Sequence, residues 1–447
     1  MAITKQHINV GICGLGTVGG GTLNILTRNR EIIGARALQI SVAHVADKDT
    51  KQAGALLKQL NLTGVTVSSC WQELVANPAL DIVVELIGKL PEARELICSA
   101  LKAGKSVVTA NKDLMAAYGG ELLELAEQNS VDLFFEGSVC GGIPIIQAIK
   151  EGFAANNIIQ ILGIVNGTTN YILTKMTEQG KSFPEALCEA QRLGYAESDP
   201  QNDIEGHDAA RKIAILASIA FNSRVSDDMV SREGIASLSK WDIVYAGEFG
   251  YVIKMLGIAR SDCQNIEVRV HPAMISKNHP LAAVRDSYNA VFVEGDALEK
   301  AMLYGRGAGA LPTGSAVAGD IVSAARNIAH NSRARWGCTC YRQLPVKQLA
   351  ETYSKYYVRM QALDLPGVFA AITAKLGEQQ VSMASVVQKR GLEDGAAEIV
   401  LITHKVNHAH MQQALKEIVA LDCVVEIGSV IRVEDAGYED TCTSYHS

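Results

Sequence analysis

No apolar run in this 447-residue chain approaches the roughly 18 residues that a membrane-crossing helix requires, which excludes a helical membrane span. The first residues, MAITKQHINVGICGLG, lack the charged-then-apolar layout of a secretory signal, since a strand and a glycine loop follow at once. The expected location is therefore cytoplasmic. Positive charge is not in excess either. Lys and Arg number 41 against 48 Asp and Glu, a net charge of −7, and no basic stripe is present, which argues against nucleic acid as a partner. An anionic ligand must then be held by local positive groups. Ten cysteines are scattered along the chain, yet none forms CxxC, and Cys338 and Cys340 lack a matching His or Cys set. Neither a zinc site nor a disulfide framework is expected; buried free thiols in a reducing compartment are.

What is present suffices for sizeable cores. Hydrophobic residues make up 48% and charged residues 20%, a soluble globular composition, and the length predicts two or three domains. His7–Cys13 (HINVGIC) reads as a short apolar strand, followed by Gly14-Leu-Gly16-Thr17-Val18-Gly19 and a helix. That is the context in which GxGxxG binds a dinucleotide. Its glycines allow a tight turn and close backbone approach, and the helix N-terminus attracts a pyrophosphate. The next strand, Leu38–Ala46, ends at Asp47. An acid there accepts from ribose hydroxyls and favours NAD, whereas a base would favour NADP. Asp47 lies further along than the usual spacing, so the reading leans to NAD and leaves NADP open.

Strand-like runs recur at 64–67, 81–87, 105–109 and 132–135, with helical segments between them. Such alternation predicts an α/β fold, a Rossmann-like doubly wound parallel sheet, with ligands at the carboxyl ends of its strands. Lys112, in TANKDLMA, falls just past one of those ends, where an ordinary solvent-facing lysine is an equal reading. Glu136-Gly-Ser-Val139-Cys-Gly141-Gly-Ile143-Pro144, taken alone, marks a crossover between domains. Ile158–Val165 reads as strand, and NGTTNYIL (Asn166–Leu173) caps a helix through its Asn and Thr residues.

Between Glu197 and Asp208 the chain also carries Asp199, Asp203 and Glu205, and Lys212 follows. Pro200 makes DPQND read as loop. From about His207 the pattern turns helical, with Ile213, Leu216 and Ala220 on one stripe, so Asp208 and Lys212 are neighbours on one face. By itself this is equally a solvated acidic loop with a surface ion pair. Gly305–Gly314 (GRGAGALPTG) could be only a tight connection, and residues 331–353 read as a linker. From Ser354 the order is strand, helix, strand, strand, helix, strand, a ferredoxin-like unit. The last dozen residues look frayed.

The run from Ala190 to Lys212, A-x3-G-Y-A-x2-D-P-x2-D-I-x-G-x-D-x3-K, resembles the motif of homoserine dehydrogenases. Residues 354–434, with Asp364-x-Pro366-Gly367 after the first strand, resemble the ACT domain, an amino-acid-sensing module. The resemblance implies a dinucleotide-binding domain over 1–135 and an α+β substrate-binding and dimerisation domain over 136–330, of which 305–330 returns to the cofactor. A linker over 331–353 and an ACT domain over 354–434 complete the chain. It further implies the monofunctional form, without a kinase domain, that interconverts L-aspartate 4-semialdehyde and L-homoserine with NAD or NADP in threonine, methionine and isoleucine biosynthesis. Many homoserine dehydrogenases carry Arg or Lys at the position of Ala46 and Gly at that of Lys89.

By the same resemblance Lys212 is the catalytic proton donor, assisted by Lys112 and steadied by Asp208. Glu197, Asp208 and Lys112 contact substrate. Gly14, Gly16, Thr17, Val18, Gly19, Lys112, Gly194 and Gly309 contact the cofactor. The carbonyls of Glu136, Val139, Gly141 and Ile143 would bind a monovalent cation, taken as sodium. The remaining expectations are threonine as effector at the ACT domain and a homodimer or homotetramer. Two rivals stay open: a dehydrogenase for another amino-acid aldehyde, and a non-catalytic amino-acid-responsive regulator. Fold does not fix substrate.

Overall fold

The computed structural model describes residues 5–34, 38–332, 337–391 and 395–434. It divides into two compact units. The first comprises Met1–Ile161, Arg211–Asp228 and Tyr288–Gln343, and the second Leu162–Ala210, Met229–Ser287 and Leu344–Ser447.

The first unit is built on strands β1 (His7–Cys13), β2 (Gln39–Ala46), β3 (Thr66–Ser68), β4 (Ile82–Glu85), β5 (Ser106–Thr109) and β6 (Leu133–Phe134). They form one parallel sheet in the order β3-β2-β1-β4-β5-β6. β4 and β5 are buried along their whole length, as strands covered by helices on both faces must be. The order reverses between β1 and β4, and there the carboxyl ends open a crevice. The strands are shorter than the apolar runs suggest. Lys105, for instance, precedes β5 and turns its ammonium onto the carbonyls of Asn77 at 2.7 Å and Leu80 at 2.9 Å.

Beyond β6 the chain continues through β7 (Ile158–Ile164), then β8 (Ser231–Arg232), β9 (Tyr251–Ser261) and β10 (Ile266–Ser276), and returns through β11 (Tyr288–Gly295) and β12 (Glu299–Arg306). The segment that rejoins the first unit is thus longer than 305–330. It includes the β11–β12 hairpin and the helix Ala310–Ala329. That helix lies directly on Thr17–Arg28: a Cβ added at Gly21 would meet the Ala310 carbonyl oxygen at 1.9 Å, and one at Gly314 would meet the Gly21 backbone at 2.7 Å.

In the second unit β9 and β10 form a long antiparallel pair. The C-terminal module follows with β13 (Tyr353–Leu363), β14 (Met383–Gly391), β15 (Ala396–Thr403), β16 (Val406–Asn407) and β17 (Val424–Glu434), and helices Val368–Glu378 and His408–Val419. Its core joins Val358 and Met360 to Ile372, Leu376, Met411 and Ile418. β17 also pairs in parallel with β10, Ala273–Ile275 against Arg432–Glu434, so one sheet runs β9-β10-β17-β13-β15-β14.

Three expectations need correction. Gln201–Ile204, read as loop, is a single helical turn with Pro200 at its cap, because proline is tolerated where a helix begins. The linker is not free chain in its described part: Arg342 bridges to Ser223, Val346 bridges to Ile266, and Leu349–Glu351 is a 3-10 turn. Of the nine described cysteines, all free, only Cys13 and Cys140 are buried; Cys188 is exposed and the rest are half-buried. The C-terminal stretch expected to fray lies outside the described residues. Among the described residues no helix is long and apolar enough to cross a membrane.

Candidate active site

Each glycine of the first loop meets a different requirement. Gly14 sits at φ +93° against the Leu86 carbonyl, where a Cβ would approach to 2.6 Å; a Cβ on Gly19 would lie 2.0 Å from the Gly14 oxygen. Gly16, by contrast, faces open space, with nothing within 4 Å of its Cβ position. It precedes the helix Thr17–Arg28, whose N-terminus has no side-chain cap. Free N–H groups beside an open cradle are what a pyrophosphate needs. A groove of about 260 Å³ runs from this loop past Asp47, Lys48, Trp71, Lys89 and Glu92. Asp47 accepts from the Leu15 N–H at 2.6 Å and from the Asp49 N–H at 2.9 Å. Lys48 pairs with Glu92 at 3.3 Å.

At the carboxyl ends of β4 and β5, the buried Glu85 accepts from the Thr109 hydroxyl at 2.6 Å and from the N–H groups of Ile87 and Gly88 at 2.9 and 3.1 Å. Thr109 accepts in turn from the Asn111 N–H at 3.0 Å, and Asn111 caps the helix that Lys112 begins. Glu85 was not singled out from the sequence. An acid inside the apolar strand IVVE is the signal that could have found it.

The two lysines are brought to neighbouring helices of the first unit. Arg211, next to Lys212, pairs with Asp113, next to Lys112, at 3.3 Å. Gly309 (φ +125°) opens the returning helix, which packs on the helix of the glycine loop.

The Glu136–Ile143 loop is buried except at Gly142. Cys140 and Gly141 are consecutive left-handed residues, φ 54° and 39°, and Gly141 lies where a Cβ would meet the Gly307 oxygen at 2.7 Å. The Glu136 carboxyl accepts from the N–H groups of Ile146 and Gln147 at 2.8 and 2.7 Å. Burial nevertheless pushes its pKa up to about 7. Its N–H donates to Asp320 at 2.8 Å, whose carboxyl is raised by burial and by Glu136. Two of the four candidate carbonyls, those of Glu136 and Ile143, already accept backbone bonds from Val139 at 3.4 Å and Ile145 at 2.8 Å. Among the described residues no cluster of three or more His, Cys, Asp or Glu side chains could hold a metal.

In the second unit two acids of the run, Asp203 and Asp208, are drawn out of solvent into a hydrogen-bond network. Asn166 caps the helix Gly167–Gln179 with its oxygen. Its amide nitrogen donates to Asp203 Oδ1 at 2.7 Å and to Asp208 Oδ2 at 2.9 Å. Thr168 Oγ1 lies 2.9 Å from Asp203 Oδ2 and 2.7 Å from the Tyr195 carbonyl. Asp208 is buried, whereas Gly194, Glu197, Asp199 and Glu205 are exposed. Gly194 has φ +75° and open space around it. Asp208 and Lys212 are one turn apart on the helix His207–Ala220.

A parallel sheet in this order, an uncapped helix behind a glycine loop, and Lys112 opening the helix after β5 define the class of NAD(P)-dependent oxidoreductases. Comparison with known proteins narrows the class. Residues 144–322 match the homoserine dehydrogenase family model, 14–136 the NAD binding domain of homoserine dehydrogenase, and 356–423 the ACT domain. A homoserine dehydrogenase of Neisseria gonorrhoeae is 42% identical over 96% of this chain and 99% of its own length. One from Synechocystis is 43% identical over 95% and 99%. The crystal structure of a homoserine dehydrogenase from Thiobacillus denitrificans aligns with TM-score 0.90 at 43% identity, over 96% of this chain and 99% of that one. A hyperthermophilic archaeal homoserine dehydrogenase in complex with NADPH aligns with TM-score 0.60 at 30% identity, over 72% and 98%. The chain belongs to the homoserine dehydrogenase family, in the form that carries a C-terminal ACT domain.

Proposed function

We propose that Lys212 is the group that manages the proton in the reversible reduction of L-aspartate 4-semialdehyde to L-homoserine, with Lys112 beside it. Bound nicotinamide supplies or accepts the hydride. What is left to the protein is to orient the aldehyde and to stabilise the negative charge that reduction builds on its oxygen. A lysine ammonium offers both charge and a proton. The observation that carries this reading is the Arg211–Asp113 pair, which joins the two helices one residue from each lysine. Asp208, fixed by Asn166, steadies the Lys212 ammonium and contacts substrate. Glu197 accepts from the substrate's ammonium group. Gly194 and Gly309 approach the cofactor.

Asp47 favours NAD over NADP, since a 2′-phosphate would face its carboxylate. The two neighbouring buried acids Glu136 and Asp320 are a pattern that a cation would compensate, and the carbonyls of Glu136, Val139, Gly141 and Ile143 would bind a hard monovalent ion such as sodium. Threonine is the effector that the ACT module would bind, and a homodimer or homotetramer in the cytoplasm is the working form. Activity measured across a threonine series checks the effector; no change at millimolar threonine leaves the module an assembly role.

The deciding experiment is Lys212→Ala. Turnover should fall by at least two orders of magnitude while the dissociation constant for the dinucleotide stays near that of the parent. Near-normal kcat would overturn the assignment.

A further inference from the structure

Cys338 and Cys340, two residues apart in the first unit, stand in surroundings unlike those of an inert thiol. Arg224 places Nη2 3.8 Å from Cys338 Sγ. There is room for that guanidinium only because residue 120 is glycine: a Cβ there would lie 1.3 Å from Arg224 Nη1. Lys150 reaches the carbonyl of Gly337, beside Cys338, at 3.2 Å, and Cys340 Sγ lies 3.6 Å from the Ser218 carbonyl. These groups line one cavity of about 50 Å³ whose other walls include Leu123 and Ile215. One water needs about 10–15 Å³ of such space, so a molecule as small as hydrogen peroxide fits.

The two sulfurs are driven apart in acidity. The thiol bond from Cys340 draws Cys338 down to about 6 against the effect of its burial, with the Cys340 N–H and Arg224 contributing. Cys340 is raised, first by donating to Cys338 and then by burial. A half-exposed thiolate beside a cation, with a protonated thiol two residues along the chain and lining the same cavity, is a nucleophile paired with a resolving partner.

We propose that Cys338 and Cys340 form a peroxide-reactive dithiol, in which hydrogen peroxide oxidises Cys338 and Cys340 then closes an intrachain disulfide. In the first step the Cys338 thiolate attacks one peroxide oxygen and the O–O bond breaks. Cys338 becomes a sulfenic acid, and the departing hydroxide leaves as water. In the second step the sulfur of Cys340 attacks that of Cys338; the S–S bond forms, the S–O bond breaks, and the Cys340 proton leaves with the hydroxide as a second water. Two thiols are oxidised and one peroxide is reduced.

The test uses the full-length chain, fully reduced, exposed to a small excess of hydrogen peroxide at pH 7, then alkylated and mapped by mass spectrometry. The peptide holding both cysteines should lose two hydrogens and escape alkylation, and dithiothreitol should restore it. Cys340→Ser should stop at a sulfenic acid on Cys338 that dimedone traps, and Cys338→Ser should abolish the reaction. Arg224→Gln, by raising Cys338 about one pKa unit, should slow it about twofold at pH 7 and about tenfold at pH 5, where the thiolate is the minor form. Full alkylation of Cys338 and Cys340 after Cys188 or Cys70 has been oxidised would overturn the proposal, as would a Cys340→Ser chain that dimedone never labels at Cys338.

Discussion

Asn166 Nδ2 stands 2.9 Å from Asp208 Oδ2 and 2.7 Å from Asp203 Oδ1, so a single amide holds two carboxylates of the acidic run. The same side chain caps the helix Gly167–Gln179 through its oxygen. Asn166→Ser separates the two roles, since serine caps helices about as well as asparagine but offers no amide. The helix should stay capped, stability should fall by about 1–3 kcal/mol because the buried Asp208 loses a donor, and kcat/KM for homoserine should fall about 10- to 100-fold, the equivalent of a lost hydrogen bond to a charged group. Unchanged kinetics would remove Asp208 from the proposed machinery.

The glycine loop makes a sharper contrast. Gly19→Ala forces a methyl group against the Gly14 backbone and should lower the melting temperature as well as cofactor affinity. Gly16→Ala meets no protein atom, so its effect should be confined to the dinucleotide: a KM raised at least several-fold on an otherwise normally stable protein. Calorimetry beside coenzyme titration distinguishes the two variants.

The proposed preference for NAD can be tested at Asp47. Asp47→Asn keeps an acceptor for the Leu15 N–H and removes the charge. The ratio of kcat/KM with NADPH to that with NADH should rise about tenfold, corresponding to roughly 1.4 kcal/mol of relieved repulsion. A ratio that does not move would shift the selectivity to Lys48 and Lys89, which line the same groove.

Lys254 supplies a pH prediction. Burial lowers its pKa from the ordinary 10.5 to about 8, although it donates to Asn170 at 3.0 Å and to the Val284 carbonyl. The unfolded chain therefore binds a proton here that the folded chain releases between pH 8 and 10.5. Stability from this group rises with pH across that window, by about 3 kcal/mol at most. Lys105 and Lys150 are lowered in the same direction, so only the difference from Lys254→Met isolates it. In denaturant melts at pH 7.5 and 10, the parent should gain more stability than the variant.

Much of the first unit was legible in the sequence because parallel strands covered on both faces appear as unbroken apolar runs, and the glycine loop follows the first of them. The ACT module's element order was legible for a related reason: each strand and helix keeps its own period. The gathering of Asp203 and Asp208 on Asn166 was not. Hydrogen-bond partners that far apart in the chain leave no local trace, and an acidic run with a proline looks like a solvated loop. Glu85 was passed over for being one polar letter in an apolar strand. The Cys338–Cys340 pair matched no metal or disulfide spacing, and its character depends on Arg224, which is 114 residues away.

The parallel pairing of β17 with β10 bears on how the ACT module can be studied. Excising it would leave one side of β10 with unsatisfied main-chain groups, an invitation to intermolecular strand addition. It would also take away Glu434, which meets Arg260 and Arg269 at 2.7 Å each, and so remove one of the two carboxylates, Glu434 and Glu267, that face these guanidinium groups. A shortened chain should precipitate rather than work unchecked. Variants that test the proposed effector role therefore belong inside the intact module, as single substitutions.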